Sequence, residues 1–116
     1  METTSTREFL PLPAAQFHVL VALSAGELHG YAIMRAVESS SDGLVRIGPA
    51  SLYGTLKRLV EKGLAEEVAK PPSPGEDMRR RYYRLTGLGD RVCAAEAERL
   101  AALVAFAQGN LDPGLA

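Results

Sequence analysis

This sequence has little cysteine, no long apolar run, and no stretch at its start that resembles a secretory leader. Cys93 is the sole cysteine among 116 residues, so no intrachain disulfide can form. No apolar stretch approaches the roughly 20 residues that span a bilayer. The N-terminus has no basic start followed by an apolar segment, which disfavours secretion. We therefore expect a cytoplasmic protein that does not cross a membrane.

The arrangements that most catalytic and metal sites require are also missing. His18, His29 and Cys93 lie far apart, without the spacing of metal ligands. No glycine-rich phosphate loop follows a predicted strand, and no serine or cysteine has a base close by in the sequence. A lone cysteine among alanines is more often a packed core residue than a nucleophile. We therefore expect no enzyme activity, no metal and no cofactor.

Composition indicates one globular domain whose charge is unevenly distributed. The hydrophobic fraction is 47% and the formal net charge is only -1. Residues 46–84 nevertheless hold nine basic and five acidic side chains, whereas 1–45 hold two and five, and 85–116 hold two and four. Because a polyanion meets local charge rather than the total, this basic middle indicates a nucleic acid as partner.

Helical periodicity and helix-end residues predict four helices and one β-hairpin, a mainly α (α+β) fold. Proline at a first helical position and glycine just past a helix end are typical boundaries. Pro13, the pair Gly48 and Pro49, and Thr86 are expected to begin helices, and Gly63 to end one. The predicted helices cover residues 13–26, 29–40, 48–63 and 87–108, and the strands cover 64–68 and 79–85.

The third predicted helix has one apolar face and one polar face. At about 100° per residue its branched apolar side chains gather on one side, which we expect in the core: Leu52, Leu56, Leu59 and Val60. The opposite side is small and polar near its start and basic toward its end, and we expect it to be free for a partner. Its members are Ser51, Gly54, Thr55, Arg58 and Lys62.

The second predicted strand, within RRRYYRLT at 79–86, alternates between two faces. We expect the face of Arg81, Tyr83 and Leu85 to point inward, where Tyr83 packs against the neighbouring strand and is not a ligand. The arginines of this strand have two competing interpretations. They neutralise phosphates, or they have a structural role, either as a solvated strand end or in salt bridges with Glu66 and Glu67 of the other strand. We assign Arg81 to the structural role. The residues we expect to contact phosphates are Arg79 and Arg80.

The final predicted helix is longer than the core that one small domain offers. At 1.5 Å per residue it extends roughly 30 Å, and its apolar stripe needs a partner. A second copy of the chain is the simplest one, so we expect a homodimer. The residues expected in that contact are Val92, Leu100, Leu103, Val104 and Ala107. The expected units are an arm (1–12), a DNA-binding domain (13–86), a dimerisation helix (87–108) and a frayed tail (109–116).

Four short motifs fall at the ends of these elements. HGY at 29–31 opens the second helix, SLY at 51–53 precedes LKRL at 56–59, EKGL follows at 61–64, and RYYRLTGLG covers 81–89. Together they closely resemble the PadR-like transcriptional regulators, over about residues 17–92. The resemblance implies a winged helix-turn-helix dimer of the short subgroup, which usually represses transcription and dimerises through its C-terminal helix. Family members respond to varied small molecules, and no particular effector is implied.

The resemblance also implies individual DNA-facing residues. It points to Ser51, Tyr53 and Lys57 on the third helix, which would be the recognition helix. Tyr53 lies at the edge of that helix's polar side, where its ring can pack while its hydroxyl reaches a phosphate. His29 and Tyr31 lie at the start of the second helix, where free backbone N–H groups favour a phosphate.

The sequence leaves three classes of function open. The first is a homodimeric repressor that binds an inverted-repeat operator, with half-sites roughly 34 Å apart, and that a small molecule releases. The second is a winged-helix module that binds protein, with an apolar partner groove along the last helix. The third is a ligand-binding or catalytic dimer, which would need a deep pocket between its subunits.

Overall fold

A computed structural model describes residues 5–70 and 80–111 of the chain. Helices dominate this part, and three short strands form one antiparallel sheet, which confirms the mainly helical fold class. In chain order the elements are a 3-10 helix (Thr6–Phe9), α1 (Ala14–Leu23), β1 (Leu28–His29), α2 (Gly30–Ser40), α3 (Pro49–Glu61), β2 (Ala65–Lys70), β3 (Arg80–Leu85) and α4 (Gly87–Asn110).

The helix ends lie where local chemistry predicts them. Pro13 directly precedes α1, and Gly48 is the N-cap of α3 with Pro49 as its first residue. After α3 the chain reverses at Gly63, whose φ of 77° suits glycine, and the N–H of Leu64 donates to the carbonyl of Leu59 at 2.9 Å. This turn brings the chain directly from α3 into β2.

The core lies where α1, α2 and α3 pack against one another and against the sheet and the first half of α4. Its largest fully buried apolar side chains are Leu20, Ile33, Leu52, Leu56, Leu59, Leu64, Val19, Val37 and Val92. Three of the four apolar residues predicted to face inward on α3 are among them. The fourth, Val60, is 40% exposed, because the covered arc of α3 ends before its position.

The sheet has the order β1-β3-β2, so β3 lies in the middle. β2 and β3 form the predicted hairpin, with Glu67 opposite Tyr83. β1 adds a third strand that was not predicted, pairing Leu28 with Tyr83 and His29 with Tyr82. Two residues are too short for an alternating pattern to be visible. Since α2 begins directly after β1, this pairing fixes the start of α2 beside the hairpin.

Helix α4 begins as predicted, with Thr86 as its N-cap: the N–H of Gly89 donates to the Thr86 hydroxyl at 2.9 Å. It ends at Asn110, so Gly109 and Asn110 of the expected frayed tail are helical, whereas 112–116 lie outside the described residues. The arm before α1 docks on α4, where the N–H of Leu12 donates to Glu96 at 2.8 Å. None of the helices in the described part combines the length and apolarity that crossing a bilayer requires.

Candidate nucleic-acid interface

The outer face of α3 carries exposed polar and basic side chains. Ser51, Lys57 and Arg58 are exposed, and Tyr53 is 49% exposed. Gly48 and Pro49 begin the helix, so Ser51 lies in its first turn, near the free N–H groups and the positive end of the helix dipole, whereas Lys57 and Arg58 lie toward its C-terminal end. Three of the side chains that the sequence assigns to DNA, those of residues 51, 57 and 58, are therefore accessible together on one helix.

Lys57 and Arg58 of α3 differ from several other basic residues in their pairing. Within 5–70 and 80–111, Lys57 and Arg58 form no ion pair. By contrast, Arg46 pairs with Glu38 at 3.3 Å. Arg81 and Arg84 of the hairpin and Arg99 of α4 are also matched to carboxylates. Positive charge that is free to meet a phosphate is thus present on α3.

Thr55 does not belong to the exposed face, which corrects the prediction from the helical wheel. Its side chain is buried, with 5% exposed. Thr55 lies three residues after Leu52 and four before Leu59, both fully buried, so it shares their side of the helix. A threonine is small enough to fill the narrow edge of this core, and it cannot reach a DNA base from there.

Lys62 is the C-cap of α3 and has an acceptor inside the protein. Its Nζ donates to Oε1 of Gln16, a buried residue of α1, at 2.6 Å. The contact ties the end of α3 to the start of α1. A side chain that the sequence assigns to DNA therefore contributes to the packing of two helices.

The start of α2 lies beside the hairpin and beside α3. His29 is the N-cap of α2, and its Nδ1 accepts the N–H of Ala32 at 3.3 Å. Its ring also meets Tyr82 of β3 edge to face, with the centroids 5.5 Å apart. Tyr31 is 63% exposed, and the guanidinium of Arg35 lies 5.8 Å above its ring. His29 therefore has a structural role, whereas Tyr31 is available at the surface.

Tyr53 reaches from α3 to this same place. Its hydroxyl end lies against the backbone of Gly30, the first residue of α2. The ring is half exposed, so one edge faces solvent and the other faces α2. The expected boundary position of Tyr53 thus appears in the structure, with its hydroxyl directed at the neighbouring helix.

The arginines of the hairpin fall into two groups: those that form salt bridges, and those whose side chains lie outside the described part of the structure. Arg81 pairs with Glu67 at 3.6 Å, in keeping with a structural role, but its side chain is 74% exposed and does not point inward as predicted. Arg84 pairs with Glu66 at 2.6 Å and with Glu27 at 3.2 Å, and its hydrogen bond to Glu66 is the first cause of a raised pKa. Arg79 lies outside the described residues, and only the backbone of Arg80 is placed, as the first residue of β3.

Tyr83 lies on the inner face of β3, as predicted, with 5% exposed. Burial, followed by the nearby Glu67 carboxylate, raises the pKa of its phenol. The hydroxyl donates to Oε2 of Glu67 at 3.5 Å. Tyr83 therefore packs in the hairpin and offers nothing to a ligand.

The residues assigned to a dimer contact divide along α4. Val92 is fully buried in the core of its own chain, so it cannot form part of a contact between chains. Leu103 and Val104 are 57% and 52% exposed, while Leu100 and Ala107 are partly exposed. Phe106, which the periodicity did not select, is 60% exposed. The apolar surface thus lies in the second half of α4.

Comparison with known sequences gives one family. Residues 19–95 match the sequence profile described as "Transcriptional regulator PadR-like family". A 37.1 kDa protein encoded in a transposon of Streptomyces fradiae is 43% identical over 89 residues, which are 77% of this chain. The chain spans 24% of the length of that curated relative.

Solved structures share the fold at low identity. A PadR family regulator from Clostridium difficile superposes with a TM-score of 0.73 at 20% identity, covering 86% of this chain and 100% of that one. A PadR-like regulator from Bacillus cereus superposes with a TM-score of 0.71 at 22% identity, covering 84% of this chain and 90% of that one. PadR of Bacillus subtilis, solved in complex with operator DNA, gives 0.63 at 22% identity, covering 72% of this chain and 47% of that one.

Proposed function

Since the chain belongs to the PadR-like family of transcriptional regulators, we propose that it binds specific DNA sequences through α3. The observation that carries the proposal is the exposed face of α3, where Ser51, Lys57 and Arg58 lie together and the two cations have no ion pair in the described part of the chain. Only the major groove admits a helix and presents a distinct pattern for each base pair. The Bacillus subtilis relative with a similar fold was solved with operator DNA, which supports a duplex as the partner.

Each side chain has a separate role in this proposal. Ser51, in the first turn of α3, is close enough to the helix start to reach base edges, as N-terminal residues of recognition helices do. Lys57 and Arg58 contact phosphates, which supplies affinity with little regard for sequence. Arg79 and Arg80 remain proposed phosphate contacts from the hairpin. Thr55 and Lys62 are left out, because Thr55 is buried and the Lys62 ammonium group donates to Gln16.

We further propose a homodimeric repressor. The exposed apolar residues of α4 would join two chains, and two copies of α3 would then meet half-sites of an inverted repeat about one helical turn, roughly 34 Å, apart. A small molecule would release DNA only if it bound two dimer geometries with different affinity. The cleft between the arm and α4, about 550 Å³ and lined in part by Arg7, Leu10 and Arg99, has room for one.

The test of DNA binding uses the dependence of affinity on salt. Genomic fragments selected by the purified protein, beginning with the region upstream of its own coding sequence, supply the duplex. In Lys57→Ala and Arg58→Ala we expect weaker binding and a log–log salt slope that is smaller by about 0.9 for each lost phosphate contact. Arg91→Ala is the matched control, because Arg91 is an exposed arginine on α4, outside the proposed interface. Fluorescence anisotropy at several salt concentrations gives the slope.

Two results would contradict the proposal. If wild-type protein binds no fragment more tightly than a scrambled duplex, a protein-binding winged-helix module becomes the better description. If Arg58→Ala and Arg91→Ala change the slope equally, α3 is not the surface that meets phosphates. Ser51→Ala adds an independent measure, since loss of a base contact should change which sequences are preferred more than it changes the salt slope.

A further inference from the structure

Gly30, the first residue of α2, is a buried glycine whose backbone does not require one. Its φ lies outside the left-handed region that favours glycine, unlike Gly63 at 77°. A glycine inside a helix costs stability relative to alanine. Space, and not backbone conformation, must therefore explain why a side chain is absent at this position.

The space is occupied by Tyr53 of α3. A Cβ on Gly30 would overlap the Tyr53 hydroxyl oxygen and would lie 3.0 Å from Cζ of the same ring and 3.6 Å from Cδ2 of Leu52. Other helix-end glycines differ: a Cβ on Gly48 would meet nothing within 4 Å, and one on Gly87 would have only an ordinary contact of 3.7 Å. The tyrosine ring thus rests directly on the backbone where α2 begins.

This contact lies between the two elements that the proposed interface depends on. β1 pairs with β3 and so fixes the start of α2 beside the hairpin. Tyr53 then links that start to α3, two residues after Ser51. A methyl group added at Gly30 would have to displace the end of the Tyr53 ring, and with it the contact between α2 and α3.

We propose that Gly30 and Tyr53 form a size-matched pair in which Tyr53 is a positioning residue that sets the orientation of α3 against α2. The inference rests on the proposed function, since its consequence is how well α3 fits a DNA site. In this proposal Tyr53 acts through the contact of its ring with Gly30. The alternative role, a hydroxyl that itself binds a phosphate, predicts a different response to removal of the hydroxyl.

The experiment is a double-mutant cycle with Gly30→Ala, Tyr53→Phe and the combined variant. The measured quantity is the ratio of affinity for a selected genomic fragment to affinity for a scrambled duplex of the same length. We expect Gly30→Ala to lower this ratio about tenfold, and the added Tyr53→Phe to restore most of it, because removing the hydroxyl oxygen relieves the closest overlap. Tyr53→Phe alone should lose less than Gly30→Ala. Gly87→Ala, another first-residue glycine, is the control for the added methyl group.

The possible results distinguish a failure of the size-matched pair from a failure of the proposed function. A wild-type ratio near one contradicts the proposed function, whereas a normal wild-type ratio that Gly30→Ala leaves unchanged overturns the size-matched pair alone. A loss of affinity in Tyr53→Phe for both duplexes at an unchanged ratio would identify the hydroxyl as a phosphate ligand and overturn the pair. A ratio that Tyr53→Phe lowers as much as Gly30→Ala does would also overturn it. If Gly30→Ala does not fold by circular dichroism, the combined variant should fold again, and its failure to do so would count against the pair.

Discussion

At the scale of single residues, the carboxylate of Glu96 is the most constrained charge in the described part of the chain. Glu96 is 1% exposed. Arg99 donates to its two oxygens at 2.5 Å and 3.1 Å, and the N–H of Leu12 donates to it at 2.8 Å. The hydrogen bonds from Arg99 lower the pKa of Glu96 below its ordinary value despite burial, and the Leu12 N–H acts in the same direction. The arm is therefore attached to α4 by a hydrogen bond from Leu12 to a buried carboxylate that Arg99 of the same helix neutralises.

Acid should weaken this attachment. A carboxyl group whose pKa is lower in the folded state contributes stability above its unfolded-state pKa, about 4.3, and loses it as the pH falls through the lower folded value. We expect Glu96→Gln to reduce the free energy of unfolding by about 1–3 kcal/mol at pH 7, with a smaller difference from wild type near pH 3. Urea unfolding between pH 7 and 3 measures the free energy of unfolding of both proteins. Glu98→Gln, an exposed neighbour on α4, is the control, and parallel curves for wild type and Glu96→Gln would refute the assignment.

At the scale of elements, the start of α4 is locked to the end of α3. The Thr86 hydroxyl donates to the carbonyl of Gly63 at 2.6 Å, and the N–H of Thr86 donates to the carbonyl of Leu64 at 3.2 Å. Gly89 packs directly on that same Leu64 carbonyl, with the carbonyl carbon 2.8 Å from where a Cβ would be. Three elements, α3, β3 and α4, therefore meet in one backbone junction that has no room for a side chain.

Gly89→Ala should open this junction. The new methyl group would overlap backbone atoms that are already held by a hydrogen bond, so the helix must move as a whole, at a cost of about 1–3 kcal/mol. Gly87→Ala, two residues earlier, should be neutral or slightly stabilising, because its Cβ has space and alanine favours the helix. Thermal unfolding compares the two variants. Equal midpoints for Gly89→Ala and wild type would show that the junction yields easily.

At the scale of the whole molecule, α4 has one apolar side along its length but a core for only half of it. Its first half buries Val92 and Cys93, and burial raises the pKa of the Cys93 thiol. Its second half presents Leu103 and Val104 on the same side, at about 100° per residue, and both are exposed. An apolar stripe that continues past its own core is typical of a contact between subunits, which supports the proposed homodimer.

The proposed dimer depends on that stripe, so a charge placed in it should separate the subunits. We expect Leu103→Glu to weaken self-association about 30-fold or more, because each copy would bury an unpaired carboxylate in an apolar contact. Ala105→Glu, an exposed position on the other side of α4, should leave the mass of the dimer unchanged. Sedimentation equilibrium measures both. A monomeric wild type at micromolar concentration would contradict the dimer, and an unaffected Leu103→Glu dimer would place the contact elsewhere.

Helix boundaries were predictable from the amino acids alone because they depend on contacts within a few residues. Pro49 as a first helical residue, Gly63 after a helix end and Thr86 as an N-cap each act on backbone groups in the adjacent turn. The hairpin followed from alternation, and the family from motifs of fixed local spacing.

Only the tertiary structure decided which residues at the edges of the apolar helix faces are buried. Thr55 and Val60 lie at opposite edges of the same apolar arc, and the way α3 packs buries the first and exposes the second. Val92 and Leu103 have the same character and lie on one side of α4, yet only Val92 is within reach of the core. The attachment of Leu12 to Glu96 joins positions 84 residues apart, and no local pattern carries such a contact. Periodicity gives the direction of a side chain, whereas what covers it depends on elements distant in the chain.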